Sequence, residues 1–445
     1  MAKAGGYVLI VSPTRRDDLL ESVEEYEGFA EAVPEFVHSN NAALVCFVSF
    51  NRGLITHIAK GRRGRRAATG LQRLNVEGLV ELDQPLSISA IEEAASPRVA
   101  KPLSNRLNDG GMLPPASFTE LVEIVSAQSP EAARLLARYS EARLRRIASL
   151  SPEIRDALAE QKDAVATALN IAGIDRAPLA DWSPPSDDEP PTSYLDGLEG
   201  TRGLEDLMVI SDLQRMPGFE QIRDFVNGSI VFEDDSTRLT VTIANHFPLE
   251  RQLGVDLIYF NERYRSFVMV QYKVMEQDTA ESEAIFRVPN AQLALEVERM
   301  EKHLKLLQGA EPNANRDGFR LLENPFFLKF CPRLSFDPDD TGLIRGMYIP
   351  LSYWKLTESD PRLAGKRGGQ VLKYNNAGRY FTNTDFSSLV AKAWVGTNAH
   401  QSALLIPLIR EVIESGRTVA IAVEENCDEL LIRAADEGDL DNFDF

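Results

Sequence analysis

The sequence has few of the residues that build disulfide frameworks and zinc sites. Its 445 residues include only three cysteines (Cys46, Cys331 and Cys427) and five histidines. The cysteines form no CxxC pair and the histidines form no HExxH motif, so neither a disulfide framework nor a zinc site is indicated. No apolar run approaches the ~20 residues that span a bilayer, and Tyr7–Val11 is too short for the core of a secretion signal. We therefore expect a cytoplasmic protein without a membrane partner.

The composition is that of an ordinary globular protein. Hydrophobic residues make up 44% of the chain and charged residues 26%. These values exclude a collagen-like, coiled-coil or wholly disordered chain. At roughly 100–200 residues per domain, the length predicts two to four domains.

Charge is unevenly distributed along the chain. The net charge is −19, but between Arg52 and Arg73 there are seven basic residues and no acidic one. Because the field at a surface depends on local charge, this part could still meet a phosphate backbone. We predict a nucleic-acid-binding loop there, although a solvated loop is the simpler alternative. Its residues are Lys60, Arg62, Arg63, Arg65 and Arg66.

The C-terminal end is acidic. From Glu424 onward there are nine Asp or Glu residues and one base, Arg433. Acidic and aromatic composition without periodicity predicts a flexible peptide at Asp436–Phe445. This tail would dock on the protein's own basic surface or on a protein partner, or would act only as a solubility tail.

Helix-start and helix-stop signals, together with the pattern of apolar residues, divide the chain into five regions. Apolar runs such as Ala42–Phe50 predict a β-rich module over residues 1–112. Ser117-x-x-Glu120, Ser129-Pro130 and Ser151-Pro152 are helix-start signals, and Gly173 is a helix-stop signal. We therefore predict a helical spacer over 113–175, followed by a proline-rich linker at 176–201. A core at 202–425 and the tail at 426–445 complete the division.

Two apolar segments in the core predict a β-hairpin that carries polar residues. Val255–Phe260 and Phe267–Lys273 flank the polar turn Asn261–Ser266. A six-residue connection pairs Phe260 with Phe267 and so places Asp256 directly opposite Gln271, with Cβ atoms ~5 Å apart. Lys273 lies two residues further along the same face. We expect this patch to face solvent or a ligand, and a long amphipathic helix to follow from Asn290 to about Leu307.

The segment GVDLIYF–x6–FVMVQYK resembles the core of the PD-(D/E)xK nuclease superfamily, in the variant that has Gln-x-Lys. The resemblance implies an α+β (or α/β) multidomain protein whose restriction-endonuclease-like core is ordered helix, mixed sheet, helix. It implies that Asp256 and Gln271 bind Mg²⁺ or Mn²⁺ and that Lys273 orients or activates the attacking water. The remaining acidic ligand and catalytic residue would be Glu250, with Glu220 as the second choice.

These features predict a metal-dependent endonuclease that hydrolyses phosphodiester bonds in DNA, in bacterial defence against foreign DNA. RNA as the substrate and self-association into a homo-oligomer stay open. One alternative is a non-catalytic nucleic-acid-binding or scaffold protein with a degenerate nuclease fold. A remote alternative is a peptidyl-tRNA hydrolase, because Gly368-Gly369-Gln370 matches the tripeptide of release factors.

Overall fold

The computed structural model describes residues 4–26, 28–38, 44–185, 190–198, 213–217, 219, 225–234, 236–244, 255–278, 283–310, 315–332, 336–365, 369–415 and 417–426. The chain divides into two compact units, Met1–Ser149 and Leu150–Phe445. Both units combine helices with a sheet, so the predicted mixed α and β class is confirmed. Within the described residues, no helix is long and apolar enough to cross a membrane.

Unit 1 contains a six-stranded sheet in the order β2-β5-β4-β3-β1-β6. Its strands are β1 (Gly5–Ile10), β2 (Gly28–Pro34), β3 (Leu44–Ser49), β4 (Leu54–Ala68), β5 (Leu71–Ser87) and β6 (Gly111–Met112). Its helices are α1 (Pro13–Tyr26), α2 (Ile88–Ala94), α3 (Ala100–Asp109), α4 (Pro115–Gln128), α5 (Pro130–Ala137) and α6 (Glu141–Ser149).

Helices cover both faces of the unit 1 sheet. Successive residues of a strand point to opposite faces, so β3 contributes side chains to a different core on each face. Val45 and Phe47 of β3 pack in one core with residues of α2, α3, α4 and α5. Cys46 and Val48 pack in a second core with Leu19 of α1. The predicted β-rich module therefore contains helices that its sequence pattern did not reveal. Strand β5 ends at Ser87, where the chain turns into α2 and the Ser87 hydroxyl accepts a hydrogen bond from the Ala90 amide.

The predicted helix signals were correct at three of four positions. Ser129 and Ser151 cap α5 and α7 (Pro152–Ala172), and Gly173 ends α7 in the left-handed conformation, with φ 78°. The Ser117 signal is wrong, because α4 already begins at Pro115 and Ser117 is buried within it. The predicted spacer is also divided, since α4, α5 and α6 belong to unit 1 and α7 belongs to unit 2.

Unit 2 is built on a nine-stranded arrangement whose main path is β13-β12-β10-β9-β15-β8-β7, with β11 joining β10 to β14. Its strands are β7 (Val226–Glu233), β8 (Thr237–Ala244), β9 (Val255–Asn261), β10 (Ser266–Asp278), β11 (Glu283–Val288), β12 (Phe326–Pro332), β13 (Met347–Pro350), β14 (Gln370–Leu372) and β15 (Thr418–Asn426). After α7, its helices are α8 (Ala291–Gln308), α9 (Leu351–Thr357), α10 (Asn383–Ala391), α11 (Ala399–Ser402) and α12 (Ile406–Glu414).

Helices cover both faces of the central strands of this sheet. On one face, α7 contacts β10 through Thr167 and Tyr272, whose hydroxyls lie 3.4 Å apart, and Asp163 of α7 pairs with the buried Lys329 of β12. On the other face, Leu293 and Val297 of α8 pack in one core with Ile258 of β9. The strands between these helices are accordingly apolar on both sides.

The predicted linker is packed rather than extended through solvent. Trp182 and Tyr194 are fully buried, and the indole Nε1 of Trp182 donates a 2.7 Å hydrogen bond to the Tyr194 carbonyl. The two rings are stacked, and Phe336 packs edge-on against Trp182. Proline and charge dominate the composition of this segment, but its two large aromatic residues anchor it to the core.

The predicted acidic tail lies mostly outside the described residues. Glu424 and Glu425, the first acids of that run, belong to β15, where Glu424 is half-buried and Glu425 is buried. Glu424 accepts hydrogen bonds from the side chains of Tyr259 and Asn261, and Glu425 pairs with Arg215 at 2.5 Å. These two acids are therefore structural, whereas the tail predicted at 426–445, including the peptide Asp436–Phe445, lies outside the described residues except for Asn426.

Candidate active site

The predicted hairpin register is confirmed. Strands β9 and β10 are antiparallel, with Phe260 opposite Phe267 and Asp256 opposite Gln271. Strand β15 lies on the other side of β9, parallel to it, and places Val419 beside Asp256. Asp256 therefore lies near the start of a central strand, with neighbours on both sides.

The patch that carries Asp256, Gln271 and Lys273 is buried in the core, which corrects the expectation that it faces solvent or a ligand. Because side chains alternate between the two faces of a strand, these residues lie on the sheet face that also carries Ile258 and Met269. That face is covered by α8, which contributes to the same apolar core. The relative exposure is 0% for Asp256, 4% for Gln271 and 8% for Lys273.

Four side chains form a closed set of ion pairs, which we call the Asp256 cluster: Asp256, Lys273, Glu296 and Arg417. The Arg417 guanidinium donates to both oxygens of Asp256, from Nε to Oδ2 at 3.0 Å and from Nη2 to Oδ1 at 2.9 Å. Its Nη1 donates to Oε1 of Glu296 at 2.6 Å, and the other oxygen of Glu296 pairs with Nζ of Lys273. The cluster thus joins two carboxylates to two cationic side chains.

In the Asp256 cluster, burial disfavours the charged form of each of Asp256, Lys273 and Arg417, and the ion pairs with oppositely charged neighbours favour it. Burial raises the pKa of Asp256, and the guanidinium of Arg417 opposes this rise. Burial also lowers the pKa of Lys273, as does the charge of Arg417, while Glu296 acts in the opposite direction. Burial disfavours the charged form of Arg417, but Asp256 and Glu296 outweigh it and raise the Arg417 pKa. The charges of Asp256, Lys273 and Arg417 therefore depend on the groups that lie beside them.

Sequence reasoning missed Glu296 and Arg417. Glu296 follows Leu293 by three residues and precedes Met300 by four, so it lies on the buried stripe of α8. An acid on the apolar face of a helix was the available signal, because burying a carboxylate is costly unless it is paired. Arg417 directly precedes the apolar strand β15, and nothing local in the sequence shows which carboxylates it reaches.

The third acid proposed from the sequence cannot be assigned in this arrangement. Glu250 and Glu220 both lie outside the described residues. One acid that the sequence did not suggest, Glu296 of α8, belongs to the cluster, and the charge of Glu160 of α7 contributes to the raised pKa of Arg417. Among the described residues, the acid that joins the predicted ones comes from the helix after the hairpin.

As arranged, the Asp256 cluster does not fit a divalent metal ion. Both oxygens of Asp256 accept hydrogen bonds from Arg417, and both oxygens of Glu296 are paired with cationic side chains. No group of three or more His, Cys, Asp or Glu residues suited to a metal ion occurs in the described part of the chain. The donor chemistry itself is suitable, because carboxylate and amide oxygens are ligands that Mg²⁺ and Mn²⁺ prefer. The obstacle is the guanidinium of Arg417.

No protein-family model, no curated protein and no solved structure matches this chain.

The basic segment of unit 1 is a strand and not the predicted loop. Lys60 to Arg66 lie in β4, which pairs with β5 through Lys60–Glu77, Arg62–Asn75, Arg63–Leu74 and Arg66–Gln72, with an irregularity between the last two pairs. We call the paired segments Lys60–Ala68 and Leu71–Glu77 the basic ribbon. Glycines in this run therefore do not present a phosphate-binding loop, and contact with phosphate would be made by side chains.

The guanidinium groups of the basic ribbon are accessible and only weakly engaged. The Arg66 side chain is 69% exposed and pairs with Glu35 at 2.5 Å, and that of Arg62 is 56% exposed and lies 3.8 Å from Glu77. Arg65 is also exposed. Surface ion pairs of this kind contribute little, about 0–1 kcal/mol, so a phosphate could replace the carboxylate.

One residue of the release-factor tripeptide, Gln370, is part of the sheet. Gln370 begins β14 and pairs with Val288 of β11, and the carbonyl of Gly369 accepts a hydrogen bond from the Gly365 amide. Gly368 lies outside the described residues. These contacts give Gln370 and Gly369 a structural role in holding β14.

Proposed function

We propose that unit 2 is a phosphodiesterase core that cleaves DNA with a divalent cation, and that the closed Asp256 cluster is its resting form. The observation that carries this proposal is the convergence of Asp256, Gln271 and Lys273 with a second acid, Glu296. The hairpin, the helix α8 after it, and strand β12 parallel to β10 support the order of elements that the nuclease resemblance implies.

The residues of the cluster divide into two roles in this proposal. Asp256 and Glu296, with the amide oxygen of Gln271, would hold Mg²⁺ or Mn²⁺ once Arg417 is displaced. The bound cation would neutralise phosphate charge and make hydroxide available near neutral pH. Lys273, whose pKa burial lowers, would exchange a proton with the attacking water or stabilise the charge that develops on it.

The basic ribbon supports DNA as the polyanionic partner. Its guanidinium groups provide bidentate donors for phosphate, presented along β4 at its pairing with β5, which is itself paired with β2. Defence against foreign DNA is the setting that the nuclease resemblance suggests, and we include it in the proposal on that basis.

One observation favours a second candidate function, a non-catalytic nucleic-acid-binding or scaffold protein that retains the nuclease-like core. Arg417 supplies the positive charge that a metal ion would bring, so the carboxylates are already neutralised. In this alternative the Asp256 cluster only stabilises unit 2, and the protein acts through the basic ribbon.

A nicking assay separates the two candidates. Supercoiled plasmid is incubated with the full chain and Mn²⁺ or Mg²⁺, with and without EDTA. We expect nicking that stops with EDTA, a loss of about 10²-fold or more in rate for Lys273→Met, and no change for Lys305→Met. Lys305 is the matched control because it is an exposed lysine on α8. A folded wild-type protein that leaves plasmid intact with either cation would support the non-catalytic alternative.

A further inference from the structure

Unit 2 exposes two aromatic rings and a leucine side by side on its surface. Phe319 is 56% exposed, Leu321 is 66% exposed and Trp394 is 42% exposed. The Leu321 amide donates a 2.8 Å hydrogen bond to the Trp394 carbonyl, and the rings of Phe319 and Trp394 meet edge to face, with centroids 6.2 Å apart. An edge-to-face pair leaves ring faces that the other ring does not cover. We call these three residues the Trp394 platform.

A buried arginine holds the Trp394 platform in place. Arg320, which is 6% exposed, lies between Phe319 and Leu321 in the chain. Its guanidinium donates hydrogen bonds of 2.8–3.0 Å to four backbone carbonyls, those of Asp317, Phe319, Tyr264 and Thr397. These carbonyls belong to three segments, namely the loop before β12, the turn between β9 and β10, and the loop after α10. Because the three segments are joined before a partner arrives, binding to the platform costs less conformational entropy.

The segments that form the Trp394 platform are basic in an acidic chain. Residues 261–266, 315–323 and 392–398 carry five basic residues against three acidic ones, a net charge of +2, whereas the whole chain carries −19. Of the three acids, Glu262 lies 3.6 Å from Arg215, which pairs with it. Three of the basic side chains are exposed and form no ion pair with another described residue: Arg265, Arg316 and Lys392. The field beside the rings therefore favours a polyanion.

We infer that the Trp394 platform binds single-stranded DNA, with an unpaired base stacked on its rings and the phosphates beside the cationic side chains. Aromatic rings bordered by positive charge are the means by which proteins hold single strands. The bases of a duplex are stacked on one another, so an unpaired base is the one that offers its face to a protein ring. The platform is also separate from Asp256, which lies five residues before Asn261 at the turn, about 17 Å along β9. The inference therefore goes beyond the proposed function and does not depend on cleavage.

The fluorescence of Trp394 reports on this surface directly, because the other two tryptophans, Trp182 and Trp354, are fully buried. The full chain is titrated with oligo(dT) of about 15 nucleotides in EDTA, which prevents metal-dependent cleavage. We expect oligo(dT) to quench the emission and a blunt duplex of the same length to quench it much less. Trp394→Phe should lose the response, which identifies its source. Emission is the readout because the basic ribbon could also contact the phosphates of oligo(dT).

One variant that keeps Trp394 as the reporter tests stacking. Phe319→Leu should weaken oligo(dT) binding about fivefold or more, because it removes one of the two rings from an exposed position. The matched control is Leu356→Ser, which removes an exposed apolar side chain of α9 outside the platform and should leave the titration curve unchanged. Circular dichroism confirms that both variants are folded.

A second variant tests the charge. Arg316→Ser/Lys392→Ser should flatten the slope of log affinity against log salt by about 0.7 for each lost phosphate contact with a single strand. Lys302→Ser/Lys305→Ser makes the same change in net charge at exposed positions of α8 and should leave the slope unchanged.

Unchanged Trp394 emission with oligo(dT), equal quenching by the duplex, or a folded Phe319→Leu protein that binds as tightly as wild type would overturn the inference. An emission change that follows protein concentration without oligo(dT) would assign the platform to a second copy of the chain and overturn it as well. Quenching by oligo(dT) with no nicking by any protein would uphold the inference and reject the proposed cleavage. Nicking of plasmid without quenching would do the reverse.

Discussion

Asp256 depends energetically on the cation that faces it. Its carboxylate is fully buried, and the bidentate contact with Arg417 replaces the hydration that it loses on folding. Breaking such a pair by removing one partner leaves a buried charge without compensation, which is far more costly than losing a surface ion pair. The same residue that the sequence suggests as a metal ligand is thus also a structural residue in the closed cluster.

We therefore predict that Asp256→Ala destabilises the full chain by about 3–5 kcal/mol in urea unfolding. The matched control Glu414→Ala breaks the exposed pair with Arg410 and should cost less than about 1 kcal/mol. The double variant Asp256→Ala/Arg417→Met should lose less than the sum of the two single variants, by about 0.5–3 kcal/mol. Strictly additive losses, or a loss for Asp256→Ala as small as that of the control, would mean that the ion pair does not contribute as described.

At the scale of elements, the basic ribbon is the feature whose function can be measured most directly. Its exposed guanidinium groups extend along paired strands and end at the turn with Gly70, whose φ of 74° suits glycine. Each phosphate that a basic side chain neutralises releases counterions and adds about 0.9 to the slope of log affinity against log salt for duplex DNA. The number of contacts can therefore be read from the salt dependence.

We predict that replacing Arg62, Arg63, Arg65 and Arg66 with serine weakens duplex binding and flattens the slope by about 0.9 for each lost phosphate contact. The control replaces four exposed bases outside the ribbon with serine, which makes the same change in net charge: Lys101, Lys302, Lys305 and Arg410. Glu35→Gln should act in the opposite direction, because it frees Arg66 from its ion pair. An unchanged affinity and slope in the ribbon variant would show that these side chains are only solvated.

Elements defined by local pattern could be predicted from the sequence. The hairpin register followed from a six-residue connection and strict alternation, and Ser129, Ser151 and Gly173 acted as the helix boundaries that their chemistry favours. The helix α8 was expected from its apolar stripe, and Asn290 caps it by accepting a hydrogen bond from the Leu293 amide.

What escaped prediction depends on contacts between distant parts of the chain. β4 and β5 continue through polar residues because each pairs with the other, and β5 also pairs with β2, which no local apolar run indicates. Trp182 is buried because Phe336 packs against it from far along the chain. Arg417 and Asp256 are 161 residues apart in the chain. The sequence therefore suggested the acid but did not reveal the cationic side chain that pairs with it.

At the scale of the whole molecule, the two candidate functions lie in different units. The basic ribbon belongs to Met1–Ser149 and the Asp256 cluster to Leu150–Phe445. Among the described residues, unit 1 has two apolar cores made of its own residues and unit 2 has one around α8. The boundary between Ser149 and Leu150 leaves Ser151 attached to α7, so the cap of that helix is kept in unit 2.

We predict that fragments 1–149 and 150–445 fold separately and divide the activities between them. Fragment 1–149 should retain salt-dependent duplex binding, whereas 150–445 should retain the coupling between Asp256 and Arg417 and nick DNA only at higher DNA concentration. The boundary suggested by the sequence provides the control, fragment 1–112, which lacks α4 and α5 and hence Leu121, Val125 and Leu135 of the unit 1 core. Each lost apolar side chain removes about 1.5–3 kcal/mol of burial, so 1–112 should show no cooperative unfolding by circular dichroism. If 1–112 unfolds as cooperatively as 1–149, or if 150–445 alone binds duplex with the full salt slope, the division of structure and of DNA binding between the units is wrong.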